Sequence, residues 1–282
     1  MSQKELCASC TSFSIDSPML SSSSKKPKWL DEKDFVEDFI ESQKVFKERK
    51  ERKQGNCDQS IEINLGKKTA NRYVLYWAAM PCDKIAIQGA RKAYSEFKNN
   101  GIVKLNAKGC GKLYLQCPQI YKTVKKGSTK EESFYRHFHF VIGSKDNTSW
   151  LAPLYSHIII CKRNKRDTMD LLQDKSTVVL NALPSEYYAK DHIPNTFNVT
   201  ATEVKNMTKQ KWHSWLEEVV DLHYPILSRM LKNKTLEIDE VPVLTYCAHK
   251  ECNASSLLAN ELLKKGQYRV DEFPGGMKEY RD

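Results

Sequence analysis

No run of about 18 apolar residues occurs in the 282-residue chain, so no segment has the length needed to span a membrane as a helix. The opening stretch, MSQKELCASCTSFS, lacks the apolar core of a signal peptide. A reducing, cytoplasmic setting is therefore expected. With it go free thiols rather than a disulfide framework for the nine scattered cysteines, an odd number. The sequons at Asn147, Asn198, Asn206, Asn233 and Asn253 are then not expected to carry sugar. Cys7 and Cys10 have C-x2-C spacing, but no second pair stands where a tetrahedral zinc site would need one. Also missing are aromatic residues interleaved with the basic ones. The formal charge of +10 is concentrated in KVFKERKERK (44–53), residues 122–130 and KRNKR (162–166). Without stacking rings these runs read as solvated surface and linker, and nucleic acid is only the minor expectation.

What is present divides into three regions. Residues 1–58 carry a Ser- and Lys-rich tail, SPMLSSSSKKPK, that cannot bury enough apolar area to order itself. An amphipathic helix marked by Trp29, Phe35, Phe39 and Ile40 follows, running into the basic stretch. Residues 59–165 read as short strands: RYVLYWAAM, GIVKL, KLYLQC, SFYRHFHFVIG and HIIIC. Between the first two, IAIQGARKAYSEFKNN has helical spacing, ended by Asn100 and Gly101. A β-rich, sandwich-like domain is expected. Residues 166–282 alternate strand and helix, with STVVLNA, TFNVT, VPVLTYC and YRVDEF as strands and KWHSWLEEVVDLHYPILSRMLK as one long helix. Strands spaced by helices imply a parallel sheet with helices on both faces, so the whole is an α+β two-domain chain with an α/β C-terminal half.

Cys247 ends the VPVLTYC strand, and the helix SSLLANELLKKG begins at Ser255, so the thiol sits at the mouth of a strand-loop-helix unit. Four ordered blocks, VVLNALPSEYYAKDHIPNTFNV, VLTYC, a helix ending at Gly266 and YRVDEFPGGMKEY, make the last 115 or so residues resemble a rhodanese domain. The resemblance implies that Cys247 is a sulfur carrier, taking sulfane sulfur from a small-molecule or protein donor and passing it to an acceptor, with no cofactor. The physical expectation is a thiol facing loop amides and a helix N-terminus, which would lower its pKa. His249, Lys250 and Ser255 would steady the donor. Cys252, at C-x4-C spacing, reads either as a resolving thiol or as a loop residue packed inward. Three departures stand against the transfer: Asn181 replaces the family's acidic residue and Leu183 its arginine, the loop is about two residues longer, and Ala254 stands where the related phosphatases need a phosphate-clamping arginine. These leave a second reading, a rhodanese unit that binds without catalysing.

In FYRHFHFV the alternation puts His137 and His139 on one strand face and Phe138 and Phe140 on the other, half of a metal site. With the preceding GKLYLQCPQIY, this resembles the core of intradiol ring-cleavage dioxygenases, whose ferric iron is held by two tyrosinates and an H-x-H pair. The resemblance implies Tyr121, His137 and His139 as ligands, with Tyr94, in a helical stretch of unconvincing spacing, as the candidate fourth. The residues alone leave open an iron, zinc or copper site and a degenerate sandwich with partly exposed histidines on an edge face.

Overall fold

A computed structural model describes residues 55–282 apart from 83, 96, 125–130 and 152–153. The expected N-terminal helix, the Cys7/Cys10 pair, the basic run at 44–53 and most of that at 122–130 lie outside the described residues. The chain divides into two compact units. The first takes in the described residues up to 82 together with Gln88–Ile159, and the second takes in Lys84–Ile87 and Ile160–Asp282.

The first unit contains β1 (Gln59–Asn64), β2 (Tyr73–Ala78), β3 (Gln88–Gly89), a single helical turn α1 (Ala90–Tyr94), β4 (Asn100–Lys104), β5 (Cys110–Leu115), β6 (Tyr121–Val124), β7 (Glu131–Phe134), β8 (His137–Ile142) and β9 (Tyr155–Ile158). Strands β4-β2-β8-β9 form an antiparallel sheet, and β1 pairs antiparallel with β5. In the third sheet, β3-β6-β7, the first pairing is parallel and the second antiparallel. Strand β8 is buried on both faces. Its even-numbered residues Phe138, Phe140 and Ile142 join Val74, Tyr76 and Leu113 in one core. Val141, on the odd face that it shares with His137 and His139, joins Leu75, Trp77, Tyr94, Tyr121 and Phe134 in another.

Two expectations change here. The helix read over IAIQGARKAYSEFKNN shrinks to α1, because Ser95 (φ 50) and Phe97 (φ 54) take left-handed backbone that no α-helix contains. Asn99 then turns the chain into β4: its side-chain amide donates to the carbonyls of Ala79 (2.8 Å) and Gln116 (2.9 Å) and accepts from the Gln116 N–H. The strand read over SFYRHFHFVIG is two strands, β7 and β8, interrupted at Tyr135 and Arg136.

The second unit contains β10 (Cys161–Lys162), α2 (Lys165–Asp174), β11 (Val178–Asn181), α3 (Ser185–Lys190), β12 (Phe197–Asn198), α4 (Ala201–Asn206), α5 (Lys209–His223), α6 (Pro225–Lys232), β13 (Val243–Tyr246), α7 (Ala254–Lys264), β14 (Val270–Phe273) and α8 (Gly276–Arg281). The five strands lie in the order β10-β14-β13-β11-β12, every pairing parallel, as the strand-helix alternation predicts. Val179, Leu244, Tyr246 and Phe273 of the sheet pack with Ile193 and Met277. Side chains satisfy several helix starts. Asn164 accepts from the Asp167 N–H at 2.8 Å, and Thr200 with Glu203 forms a reciprocal capping box. The long helix read over 211–232 breaks at Tyr224, since Pro225 has no N–H to continue the ladder and opens α6 instead. KRNKR is not a bare linker: its last two residues begin α2.

Among the described residues no helix is long and apolar enough to cross a membrane. Cys57, Cys82, Cys110, Cys247 and Cys252 are free thiols as expected. Cys117 and Cys161 are each disulfide-bonded, contrary to that expectation.

Candidate functional site

Two sites follow from the sequence, one in each unit. In the second unit Cys247 leaves the carboxyl end of β13, where a parallel sheet opens its loops. The cysteine is 0% exposed. Its thiol meets the Ser255 amide, in the first turn of α7, together with carbonyls. It donates to the carbonyl oxygens of Cys252 (3.3 Å) and, more weakly, His249 (3.8 Å), and lies 3.3 Å from Ser255 Oγ. The Ser255 hydroxyl in turn donates to the buried carboxylate of Glu272 at 2.7 Å. The carbonyl dipoles disfavour an anion on the sulfur. Burial pushes the Cys247 thiol above its ordinary pKa; the Ser255 contacts oppose that rise, and the neighbouring Cys252 adds to it. The expected lowered pKa and open access are therefore corrected: the sulfur is buried, and a tightened loop, with the Cys252 N–H donating to the His249 carbonyl at 2.9 Å, turns carbonyls toward it beside the Ser255 amide.

The neighbouring candidates are placed as follows. His249 faces outward and pairs with Glu251 at 3.1 Å, and only its backbone carbonyl approaches the sulfur. Lys250 is exposed, and Cys252 is half-buried. Asn181, at the end of β11, uses its carbonyl oxygen to accept from the Leu183 N–H at 2.8 Å, a local turn in place of an ion pair. Gly276 closes the other side. The N–H groups of Met277 and Lys278 donate to the carbonyls of Cys247 and Ala248, both at 2.9 Å.

In the first unit the H-x-H strand delivers more than half a site. Tyr94 ends α1, Tyr121 opens β6, and His137 and His139 lie on β8. Their donor atoms converge. The Tyr94 hydroxyl lies 3.4 Å from the Tyr121 hydroxyl, 3.3 Å from His137 Nε2 and 3.0 Å from His139 Nε2. Tyr121 Oη lies 3.1 Å from His137 Nε2, and the two Nε2 atoms are 3.1 Å apart. Exposure is 1% for each tyrosine, 3% for His137 and 0% for His139, so the reading of partly exposed edge histidines is overturned. Trp77 and Phe134 lie against the rings of His139 and Tyr121. Burial lowers His137 to about 4 and His139 well below the usual imidazole range, and raises both phenols well above theirs. All four groups are neutral as they stand. At the far nitrogens, His137 Nδ1 lies 2.6 Å from the Tyr135 carbonyl and His139 Nδ1 lies 2.6 Å from Ser156 Oγ.

Sequence reasoning placed Tyr121, His137 and His139 together and gave Tyr94 only as a doubtful fourth. It missed Ser156 and Glu272, which reach their partners across strand pairs or from a distant strand. The signal for Ser156 is the register itself, since it is the direct cross-strand partner of His139.

Residues 165–282 match the family model of the rhodanese-like domain, and the match does not reach the first unit. Among solved structures, the chain resembles a protein from Bacillus halodurans (19% identical, covering 43% of this chain and 70% of that one, TM-score 0.30). It also resembles a single-domain sulfurtransferase from Saccharomyces cerevisiae (11% identical, 43% and 87% covered, TM-score 0.31) and a rhodanese-related protein from Thermoplasma volcanium (18% identical, 43% and 89% covered, TM-score 0.28). No curated protein matches the chain.

Proposed function

We propose that the rhodanese-like domain of this chain, residues 165–282, is a binding module that carries no sulfur, and that the chain's chemistry resides at a metal site formed by Tyr94, Tyr121, His137 and His139. The observation that carries the reading is the meeting of four donor atoms, with five of their six separations at 3.0–3.4 Å. A tetrahedral site with ligand bonds of about 2.0–2.1 Å has edges of about 3.3 Å, so the side chains already stand at metal-ligand spacing. The donor set also fits chemically. Two phenol oxygens are hard donors that become anions on losing their protons, and in a buried site a cation must offset them. Iron(III) suits that set best, with zinc as the closed-shell alternative. Such an ion supplies Lewis acidity when bound. The chain's own residues hold the imidazoles by their Nδ1 atoms and keep water out with an apolar shell of Leu75, Trp77, Phe97 and Phe134.

The loop geometry supports the other half. Sulfur transfer needs a thiolate that a donor can reach, whereas Cys247 is buried and its anion would face the carbonyls of His249 and Cys252, with only the Ser255 contacts favouring it.

Metal content and visible absorption of the purified protein, before and after incubation with ferrous iron in air or with zinc, test the site. One equivalent bound in the wild type and loss of binding in His137→Ala and His139→Ala are expected, with a phenolate-to-iron charge-transfer band for iron. No uptake of either metal would overturn the site. Thiocyanate release from thiosulfate and cyanide tests the module. Equal rates in wild type and Cys247→Ser are expected, and release that depends on Cys247 would overturn that half.

A further inference from the structure

Cys247 and Cys252 are both free thiols, and the loop that joins them sets them side by side. The Cys247 sulfur lies 3.3 Å from the carbonyl oxygen of Cys252, and the Cys252 thiol is itself within hydrogen-bonding reach of it. The backbone holds them there. The Cys252 N–H donates to the His249 carbonyl, and the carbonyls of Cys247 and Ala248 accept from the N–H groups of Met277 and Lys278, all at 2.9 Å. A loop pinned in this way needs little further ordering to bring its two sulfurs together, because the chain entropy that closing a ring would cost is already lost in folding.

The two thiols differ in access. Cys247 is 0% exposed, so a dissolved oxidant does not touch its sulfur, whereas Cys252 is half-buried and meets solvent. Oxidation of a thiol by a peroxide begins at the sulfur that the peroxide can reach. A sulfenic acid formed on Cys252 then stands beside a second sulfur that is held against it and shielded from everything else. The C-x4-C spacing suggests Cys252 as the resolving thiol, and exposure reverses the two roles.

We infer that Cys252 and Cys247 form a peroxide-sensitive pair, in which Cys252 is oxidised first and Cys247, buried behind it, closes a disulfide. The Cys252 sulfur attacks one oxygen of hydrogen peroxide, the O–O bond breaks, and water leaves with the thiol proton, giving a sulfenic acid. The Cys247 sulfur then attacks the Cys252 sulfur. The S–O bond breaks, the departing hydroxide takes the Cys247 proton, and a second water leaves. Each sulfur has given up one electron, and the peroxide has been reduced to water. The new bond ends the contacts of the Cys247 thiol with the His249 and Cys252 carbonyls and with Ser255, so oxidation resets the loop at the carboxyl end of β13. The pair requires neither the metal site nor a sulfur-carrying Cys247.

The test exposes reduced full-length protein to hydrogen peroxide, with and without dimedone to trap sulfenic acids. Remaining thiols are then blocked with N-ethylmaleimide in denaturant, and the protein is digested with trypsin. Lys250 lies between the two cysteines, so cleavage there leaves them on separate peptides that only the disulfide holds together. Mass spectrometry of the wild type is expected to find the joined peptides, which a reductant separates. In Cys247→Ser the sulfenic acid has no resolving partner, and dimedone should gather on Cys252 to several times its wild-type level. In Cys252→Ser, Cys247 should be recovered as the N-ethylmaleimide adduct. A wild type without the joined peptides, a disulfide from either cysteine to another part of the chain, or dimedone on Cys247 in Cys252→Ser overturns the inference. Circular dichroism of both variants separates loss of the pair from loss of the fold, and Cys247→Ala or Cys252→Ala gives the same reading where a serine variant does not fold. Thiocyanate release that depends on Cys247 would overturn the binding-module reading and leave the pair standing.

Discussion

At Cys247 and Tyr94 the identity of a side chain and its surroundings point in opposite directions. Cys247 stands at the end of a parallel strand before a loop, yet its sulfur is buried against two carbonyl oxygens and its pKa lies above the ordinary thiol value. Less thiolate at neutral pH means slower alkylation. In native protein treated briefly with iodoacetamide, Cys252 is expected to be modified ahead of Cys247, read by mass spectrometry of the loop peptide. Modification of Cys247 at the rate of a free thiol would show that the loop opens and that the sulfur is available after all. Tyr94 is the reverse case, a residue of unpromising context in a decisive position. Tyr94→Phe keeps the ring that packs on Phe97 and Tyr121 and removes only the oxygen. It should leave the fold unchanged by circular dichroism while shifting or abolishing the iron charge-transfer band. An unaltered band would exclude Tyr94 from the ligands.

Among the elements, what was legible and what was not separate along a physical line. Strand β8 could be read directly, because period-two alternation of His and Phe is a local pattern with a single geometric meaning. The parallel sheet of the second unit was legible for a similar reason: short apolar runs spaced by helical stretches leave little other choice. The turn α1 was not. Ala90 to Tyr94 does have helical spacing, but the element is ended by left-handed backbone at Ser95 and Phe97, neither of them glycine, and tertiary contacts decide that. Since Tyr94 owes its position to that early stop, the fourth donor was hidden with it. Ser156 was hidden because register is a long-range property. The direction of the Cys247 thiol was hidden because it depends on how a loop folds back. The C-terminal helix offers a sharper test of element packing. Gly276 has φ +57, and a Cβ there would lie 2.2 Å from the Cys247 carbonyl oxygen. Gly276→Ala forces α8 away from the loop and sets a β-carbon on left-handed backbone, at an expected cost of about 2–4 kcal/mol. A fall in the urea midpoint with unchanged slope would show it. A midpoint equal to wild type would mean that α8 shifts freely.

Across the whole molecule the effect to expect is acid sensitivity, and its sign follows from a histidine outside the cluster of Tyr94, Tyr121, His137 and His139. His157 lies on β9 against the rings of Phe138 and Phe140, with centroids 5.6 and 5.5 Å away. Burial lowers it from 6.5 to about 4. The folded protein therefore holds His157 neutral at pH values where the unfolded chain already binds a proton. Between about pH 6.5 and 4 the unfolded state carries the extra proton, so stability rises with pH across that window. Its contribution is complete above about pH 6.5 and falls away as the pH drops toward 4, by on the order of 3 kcal/mol in all. Against the 5–15 kcal/mol typical of a folded domain, that is a large share for one side chain. Acidification also protonates carboxylates and adds to a formal charge of +10 at pH 7, so a bare pH profile would mix several causes. His157→Phe separates them, since a third ring can stack between Phe138 and Phe140 and cannot titrate. Urea unfolding of both proteins at pH 7.5, 6, 5 and 4.5 should give curves that diverge as the pH falls, the variant losing less. Parallel curves would mean that His157 reaches solvent when it is charged, and that the packing of β9 against β8 is looser than the stacked rings imply.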